Sequence, residues 1–536
     1  MKPEVRRQAR ASLRKGGGNN ATVSDLSSMT AESPSPVGIA EDARRKQIET
    51  LNRVRRSSLG QFFTPPETAR LMASMFSLSQ QRLRILDAGA GAGALTAALV
   101  EAICARNERP KEIFLVAYEL DEGVLPDLRR TLVACENHCA EANICFTGEI
   151  RATDFIESAV TFLDTGLFQT DHQCFDIAIL NPPYKKFRAE SRIRKLLRRL
   201  NIETSNLYAA FLALVVLLLD KDGELVAITP RSFCNGPYFR PFREHLLRNV
   251  NLTQLHVFES RFDAFKEDKI LQENLILHAV KSVPQQKSVG VSKSQSPYDP
   301  VVDKRCVPFD SVVRPGDPEV FIHLVPDGDG HVLARSMEML PCTLDALGLN
   351  VSTGRVVDFR ARKWLRANSN SKTVPLIYPA HFDNGLVQWP KLNFKKANAI
   401  EYNAASASLM VPSGIYVLAR RFSAKEERRR VVAAIFDPET VPCEVVGFEN
   451  HVNYFHERGA PLDRNLAYGL SVFLNSTPLD SYFRQFNGHT QVNATDLRSL
   501  RYPTRDSLVK LGQRVGQILP AQSVIDFIVG ETIGVP

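Results

Sequence analysis

The 536-residue chain is expected to form an α/β fold: a seven-stranded, mostly parallel, doubly wound sheet followed by a mixed α+β region. Three observations predict this. From residue 84 to residue 280, short apolar runs alternate with longer helical stretches, as in a sheet whose faces are covered by helices. The first apolar run ends in a glycine-rich turn, LDAGAGAGA from Leu86, which leads directly into a helical stretch. The alternation then stops at SVPQQKSVGVSKSQSPYDP, residues 282–300, which is rich in Ser, Gln and Pro.

In chain order, residues 1–40 are rich in Gly, Ser, Asn, Pro and Arg without periodicity and predict a disordered basic tail. A charged helix over Glu41–Arg56 opens a first domain, 41–281. Its strands are expected at Arg84–Asp87, Phe114–Glu119, Ile144–Thr147, Phe175–Leu180, Glu224–Thr229, Leu252–Phe258 and Asn274–Val280. The clearest helices are Ala94–Arg106 and Leu207–Leu219. Residues 282–300 are expected to be a linker or long hairpin, and 301–536 a second domain of short strands and many turns.

Composition narrows the class. With 44% hydrophobic and 24% charged residues the chain has the balance of a soluble globular protein. Its longest apolar stretch, Tyr208–Leu219, is too short to cross a bilayer. The start, MKPEVRRQAR, lacks the apolar core of a secretory signal, so a cytoplasmic protein is expected. Cys135, His138, Cys139 and Cys145 lie close together, but not with the paired spacing of a zinc site. Reduced thiols and no metal are expected. The net charge of +8 suits a polyanionic partner.

Gly89, Gly91 and Gly93 let the backbone turn tightly and a ligand approach main-chain atoms. Asp87 ends the strand before them. The next strand ends in Glu119, where a carboxylate can accept both ribose hydroxyls of an adenosine. That suits NAD and S-adenosylmethionine equally. Asp154, in ATDF, could accept from an adenine amino group or cap a helix.

The fourth strand separates these readings. FDIAIL runs into Asn181-Pro182-Pro183-Tyr184, and proline cannot continue a sheet ladder. NAD chemistry has no use for this sequence there. Methyl transfer to an exocyclic amino group does. That nitrogen's lone pair is delocalised into the ring. Acceptors placed on its hydrogens, the Asn181 side-chain oxygen and the Pro182 carbonyl, would draw it toward tetrahedral geometry. Tyr184 supplies a flat face for stacking the base.

Together, NPPY and DAGAGAG resemble the amino-methyltransferases that use S-adenosylmethionine. LGQFFTPPETARLMASMF, from Leu59, resembles the segment preceding the cofactor loop in gamma-class N6-adenine DNA methyltransferases of restriction–modification systems. NLYAAFLALVVLLLDKDGELVAITPRSF, from Asn206, is similar to that class's following helix and strand. LDALGLNVSTGRVVDFR and FNGHTQVNATDLRSLRYP, from Leu344 and Phe486, look like the recognition region of PstI/BsuBI-type modification enzymes. The resemblance implies an S-adenosylmethionine-dependent methyltransferase fold and cofactor contacts at Thr64, Asp87, Gly89, Gly91, Gly93, Glu119, Asp154 and Asn181. It also implies a C-terminal target-recognition domain, a separate restriction endonuclease as functional partner, and CTGCAG as the expected site. The substrate would be a flipped-out adenine of double-stranded DNA. Phe239 would be its second stacking face, ahead of Phe233 and Tyr238. A monomer is expected. RNA, protein or N4-cytosine methylation, and an inactive DNA-binding relative, are the alternatives.

Eight of the fifteen residues from Lys185 to Arg199 are Lys or Arg. Ile193, Leu196, Leu197 and Leu200 form a narrow apolar stripe among them. Lys185, Lys186, Arg188, Arg192 and Arg194 are expected to touch DNA phosphates, which gives salt dependence rather than sequence choice. ARRFSAKEERRR from Ala419 could also grip DNA or form a solvated helix. Asn487–Asn493 carries amide side chains able to read adenine edges.

Overall fold

The computed structural model describes residues 35–50, 63–78, 80–165, 174–188, 190–258, 274–282, 287–296, 298, 303–324, 328–423, 427–487, 491–516 and 518–535. Most of the expected tail, Leu59–Phe62 and Gly488–Thr490 lie outside these residues.

The strands of the main sheet are β1 (Arg82–Ala88), β2 (Glu112–Tyr118), β3 (Cys145–Arg151), β4 (Phe175–Leu180), β5 (Leu219–Pro230), β6 (Asn251–Phe258), β7 (Asn274–Val280), β8 (Ser288–Ser294) and β9 (Asp303–Pro308). Their order is β3-β2-β1-β4-β5-β7-β6-β8-β9. β1 to β5 pair in parallel, whereas β7 runs antiparallel to both β5 and β6.

The sheet thus has nine strands among the described residues, not the seven expected. Part of the supposed linker, Ser288–Ser294, pairs in parallel with β6 and antiparallel with β9. Its serines belong in a buried strand because a neighbour needs them. Ser292 and Ser294 Oγ lie 2.9 and 3.1 Å from the two ring nitrogens of buried His256 on β6. Val289, Val291 and Val307 join the core.

The helices flanking this sheet are α1 (Pro36–Thr50), α2 (Pro66–Ala73), α3 (Ala94–Cys104), α4 (Leu125–Glu141), α5 (Phe155–Thr165), α6 (Arg192–Arg199), α7 (Leu207–Leu218) and α8 (Arg240–Asn249). Alternate strand residues point to opposite faces. Ile177, Ile179, Val226 and Ile228 pack with α2, α3 and α4, whereas Ala178, Leu180, Leu225 and Ala227 pack with α5 and α7. Nearly all of α7 is buried, as an all-apolar helix demands. α1 begins at Pro36, inside the stretch expected to be tail, because Val37, Ala40 and Ala43 bury their side chains. Gln47 Nε2 donates to Asp127 of α4 at 2.7 Å, fastening α1 to this face.

The C-terminal region is mixed α+β. Among the described residues, Tyr416–Arg420 lies in a six-stranded sheet between Val452–His456 and Ala433–Phe436, antiparallel to both, and a second sheet of this region has five strands. The helices Arg464–Leu474 and Arg505–Val515 cross with their backbones almost touching. A Cβ on Gly469 would lie 1.7 Å from Leu508 O, and one on Gly512 would lie 1.9 Å from Asn465 O. Among the described residues, no helix is long and apolar enough to cross a membrane, and no group of His, Cys, Asp and Glu could hold a metal.

Candidate active site

A cavity of about 840 Å3 opens at the carboxyl ends of β1, β2 and β4. This is where the strand order changes direction, the usual ligand site of such sheets. Gly89, Gly91, Glu119, Asp154, Asn181 and Pro183 all line it.

After β1 the chain must turn back into α3 within five residues. Gly89, Gly91 and Gly93 make that turn with φ of 85°, 57° and 86°, a region costly for residues with a Cβ. The first two face the cavity. Gly93 does not line it; a Cβ there would meet Thr131 Cγ2 at 2.9 Å, so helix packing requires this glycine.

Glu119 is nearly buried and accepts from Gly91 N at 2.8 Å and Asp121 N at 2.7 Å. Burial raises its pKa, and the backbone N–H groups of Asp121 and Gly91 oppose that rise. It therefore orients the glycine turn while facing the cavity.

Asp87, expected to contact the cofactor, sits beneath the turn instead and is fully buried. Thr96 Oγ1 of α3 donates to its Oδ2 at 2.7 Å, and its Oδ1 has no partner among the described residues. Burial, reinforced by the charge of Glu119, pushes its pKa up to about 7. Asp154 Oδ1 accepts from Glu157 N at 3.1 Å at the start of α5, and the residue lines the cavity.

β4 delivers Asn181 to the rim. Asn181 Nδ2 donates to Thr64 Oγ1 at 3.1 Å, although 117 residues separate them. Thr64 is buried just ahead of α2. This bond engages the NH2 end of the amide. Pro182 is buried and Pro183 faces the cavity. Tyr184 is half-buried, and its hydroxyl donates to Ile228 O at 3.3 Å. Burial raises that hydroxyl's pKa. Its ring meets Tyr208 edge to face, with centroids 6.2 Å apart.

Phe239 is not free to act as a second stacking face in this structure. It is 7% exposed and stacks on Tyr208 at 5.6 Å, because two large rings bury more apolar surface against each other than in water. Phe233 is buried against Phe242, whereas Tyr238 is 81% exposed.

The basic run divides in two. Arg192 pairs with Glu157 at 3.0 Å and Arg194 with Glu203 at 3.0 Å, so neither is simply an open cation. Lys185, Lys186 and Arg188 are exposed and make no ion pair among the described residues, and Lys185 lines the cavity. In the second basic run, Arg430 is buried and donates to Asn487 Oδ1 at 2.7 Å, so it is neither a DNA grip nor part of a solvated helix.

Sequence reasoning missed the apolar walls of the cavity: Phe63, Leu120, Phe155, Ile156 and Phe211. Phe63 and Phe155 directly adjoin Thr64 and Asp154, and that adjacency was the available signal. It also missed Arg44 of α1, which shares a pocket of about 30 Å3 with Thr64 and Asn181.

Residues 131–265 match the family described as Eco57I restriction-modification methylase. The Type II methyltransferase M.PstI of Providencia stuartii is 46% identical over 497 residues, covering 92% of this chain and 97% of that one. The chain belongs to the PstI/BsuBI-type modification methylases. M.BsuBI of Bacillus subtilis is 45% identical over 463 residues, covering 86% of this chain and 90% of its own. The solved structure of the type IIG restriction endonuclease BpuSI is 12% identical, with a TM-score of 0.44 over 93% of this chain and 66% of that one. As a member of this family the protein is a methyltransferase of the restriction–modification kind. The cavity described above, with Asn181 at its rim, is its candidate active site.

Proposed function

We propose that the protein transfers a methyl group from S-adenosylmethionine to the N6 amino group of an adenine flipped out of double-stranded DNA. The observation that carries this reading is Asn181-Pro182-Pro183-Tyr184 at the end of β4. There Asn181 is anchored to Thr64 and shares one cavity with Gly89, Gly91 and Glu119.

The cavity fits an S-adenosyl group. Gly89 and Gly91 allow a close backbone approach, Glu119 and Asp154 offer acceptors, and Leu120, Phe155 and Ile156 form an apolar slot for a flat base. When bound, the cofactor supplies an activated methyl group on a sulfonium. The Asn181 side-chain oxygen and the Pro182 carbonyl would accept from the target amino group and turn its lone pair toward that methyl. Asn181 is neutral, so this is electrostatic preorganisation rather than proton abstraction. Tyr184, with its hydroxyl held by Ile228, would present its ring to the base. Lys185, Lys186 and Arg188 would hold phosphates at the entrance, and Arg192 and Arg194 could do so only in competition with Glu157 and Glu203. The C-terminal region would select the site, with CTGCAG expected, and the modification would protect that site from a cognate endonuclease.

The test is single-nucleotide mapping of modified bases in DNA from cells expressing the protein. N6-methyladenine confined to one short motif is expected. Methylcytosine at the motif, or unmodified DNA from cells making folded protein, would reject the reading.

A further inference from the structure

Tyr184 is held in place from the far end of the chain. Its ring rests on Tyr208, whose hydroxyl lies 2.9 Å from Ser232 Oγ in the loop after β5. Phe239, at the end of the same loop, stacks on Tyr208 as well. The loop therefore forms the outer support of the side of the site that would receive the base.

This loop is fastened mainly to the C-terminal half. Buried Arg231 donates through Nη2 to Gln485 O at 2.8 Å and Arg484 O at 3.1 Å. Cys234 O accepts from Ile322 N at 2.9 Å. Arg243, fully buried, donates to Phe233 O and Gly236 O within the loop, both at 2.8 Å, and to Glu319 O at 2.6 Å. Two residues past Gln485, Asn487 is gripped by Arg430 at 2.7 Å and by Asp496 at 3.0 Å. Asn487, expected to belong to a base-reading stretch, is buried with both ends of its amide taken, so its role here is structural.

We infer that Arg231 is a positioning residue that sets the seat of Tyr184 from the C-terminal half, making methyl transfer depend on contact between the two halves. A guanidinium suits the task because it keeps its charge when buried and its planar, preorganised fork holds both carbonyls in a fixed direction, whereas an ammonium on a flexible stem holds them less rigidly. Arg231 is not among the residues lining the cavity, so its effect would pass through the loop. The inference rests on the function proposed above.

The experiment compares the wild type with Arg231→Ala and Arg231→Lys on DNA from an unmethylated host. S-adenosylhomocysteine binding is measured alongside to count folded sites. The expected result for Arg231→Ala is a fall in kcat per folded site on the order of tenfold to a hundredfold, the scale that an ångström of misplacement produces. S-adenosylhomocysteine affinity should stay within about twofold of wild type, the KM for DNA should change less than kcat, and Arg231→Lys should restore part of the rate. An unchanged kcat per folded site in an active preparation would overturn the inference and leave the proposed function standing. So would loss of cofactor binding in parallel with loss of rate in both variants, which would mean that the guanidinium merely holds the fold. A wild type that methylates no DNA would overturn the proposed function, and this inference with it.

Discussion

The two sides of the cavity are built differently. On the side of β1 and β2, polar groups are fixed by backbone: Glu119 is held by two N–H groups, and the glycine turn is locked in its left-handed conformation. On the side of β4 and β5, aromatic rings hold one another: Tyr184 on Tyr208, and Tyr208 on Phe239. Backbone hydrogen bonds leave little freedom, so the first side is preformed for a ligand. Packed rings can exchange one partner for another of similar shape at modest cost, so the second side is ready to trade a packed ring for a base.

The largest effect should come from the residue between the two sides. Asn181→Ala should lower kcat by about 10²- to 10³-fold, the usual cost of removing one preorganised polar group. Binding of S-adenosylmethionine, followed by calorimetry, should persist; near-normal turnover would remove Asn181 from the chemistry. Glu119→Gln should act on the preformed side alone. It should weaken cofactor binding by on the order of tenfold, as expected when a charged acceptor of backbone N–H groups becomes neutral, and leave kcat at saturating cofactor close to normal. A fall in kcat without a change in affinity would erase the distinction between the sides.

A smaller effect is expected from charge at the entrance. Neutralising Lys185, Lys186 and Arg188 together should flatten the salt dependence of DNA binding by about 0.9 in log–log slope for each DNA phosphate these side chains cease to neutralise. Neutralising Arg192 and Arg194 should change it less, because Glu157 and Glu203 already pair with them. Equal slopes for the two sets would contradict that difference.

The smallest effect concerns Asp87. Its pKa is raised from 3.8 to about 7 in the fold, so the folded chain keeps a proton that the unfolded chain releases. Its contribution to stability is therefore complete below about pH 4 and is lost as pH rises toward 7. Asp87→Asn should flatten the decline of Tm between about pH 4 and 7. Part of the decline should remain, since buried Asp496 is raised to about 7 as well. An unaltered profile would show that Asp87 is ionised in the free protein.

What could be read in the sequence tracks how local each signal is. Asn181 was legible because strand, amide and breakers are consecutive. Glu119 was legible because a strand end declares itself by the loss of apolar residues. Phe155 was not, because an aromatic lining a cavity looks the same in sequence as one in a core. Phe239 shows the reverse error, since its aromatic character was visible but its exposure was not. β8 stayed hidden because its serines are buried only through His256, two strands earlier in the chain. Arg231 had no signature at all, as its partners are backbone carbonyls some 250 residues away.

The crossing of Arg464–Leu474 and Arg505–Val515 restricts how this protein can be altered. Gly469 and Gly512 each lie against the other helix's backbone, so neither helix accepts a side chain at the crossing unless the other moves away. Gene conversion or deliberate domain shuffling that aims to change target choice would have to carry both helices as one cassette. A breakpoint between them would join surfaces that had never been selected to meet.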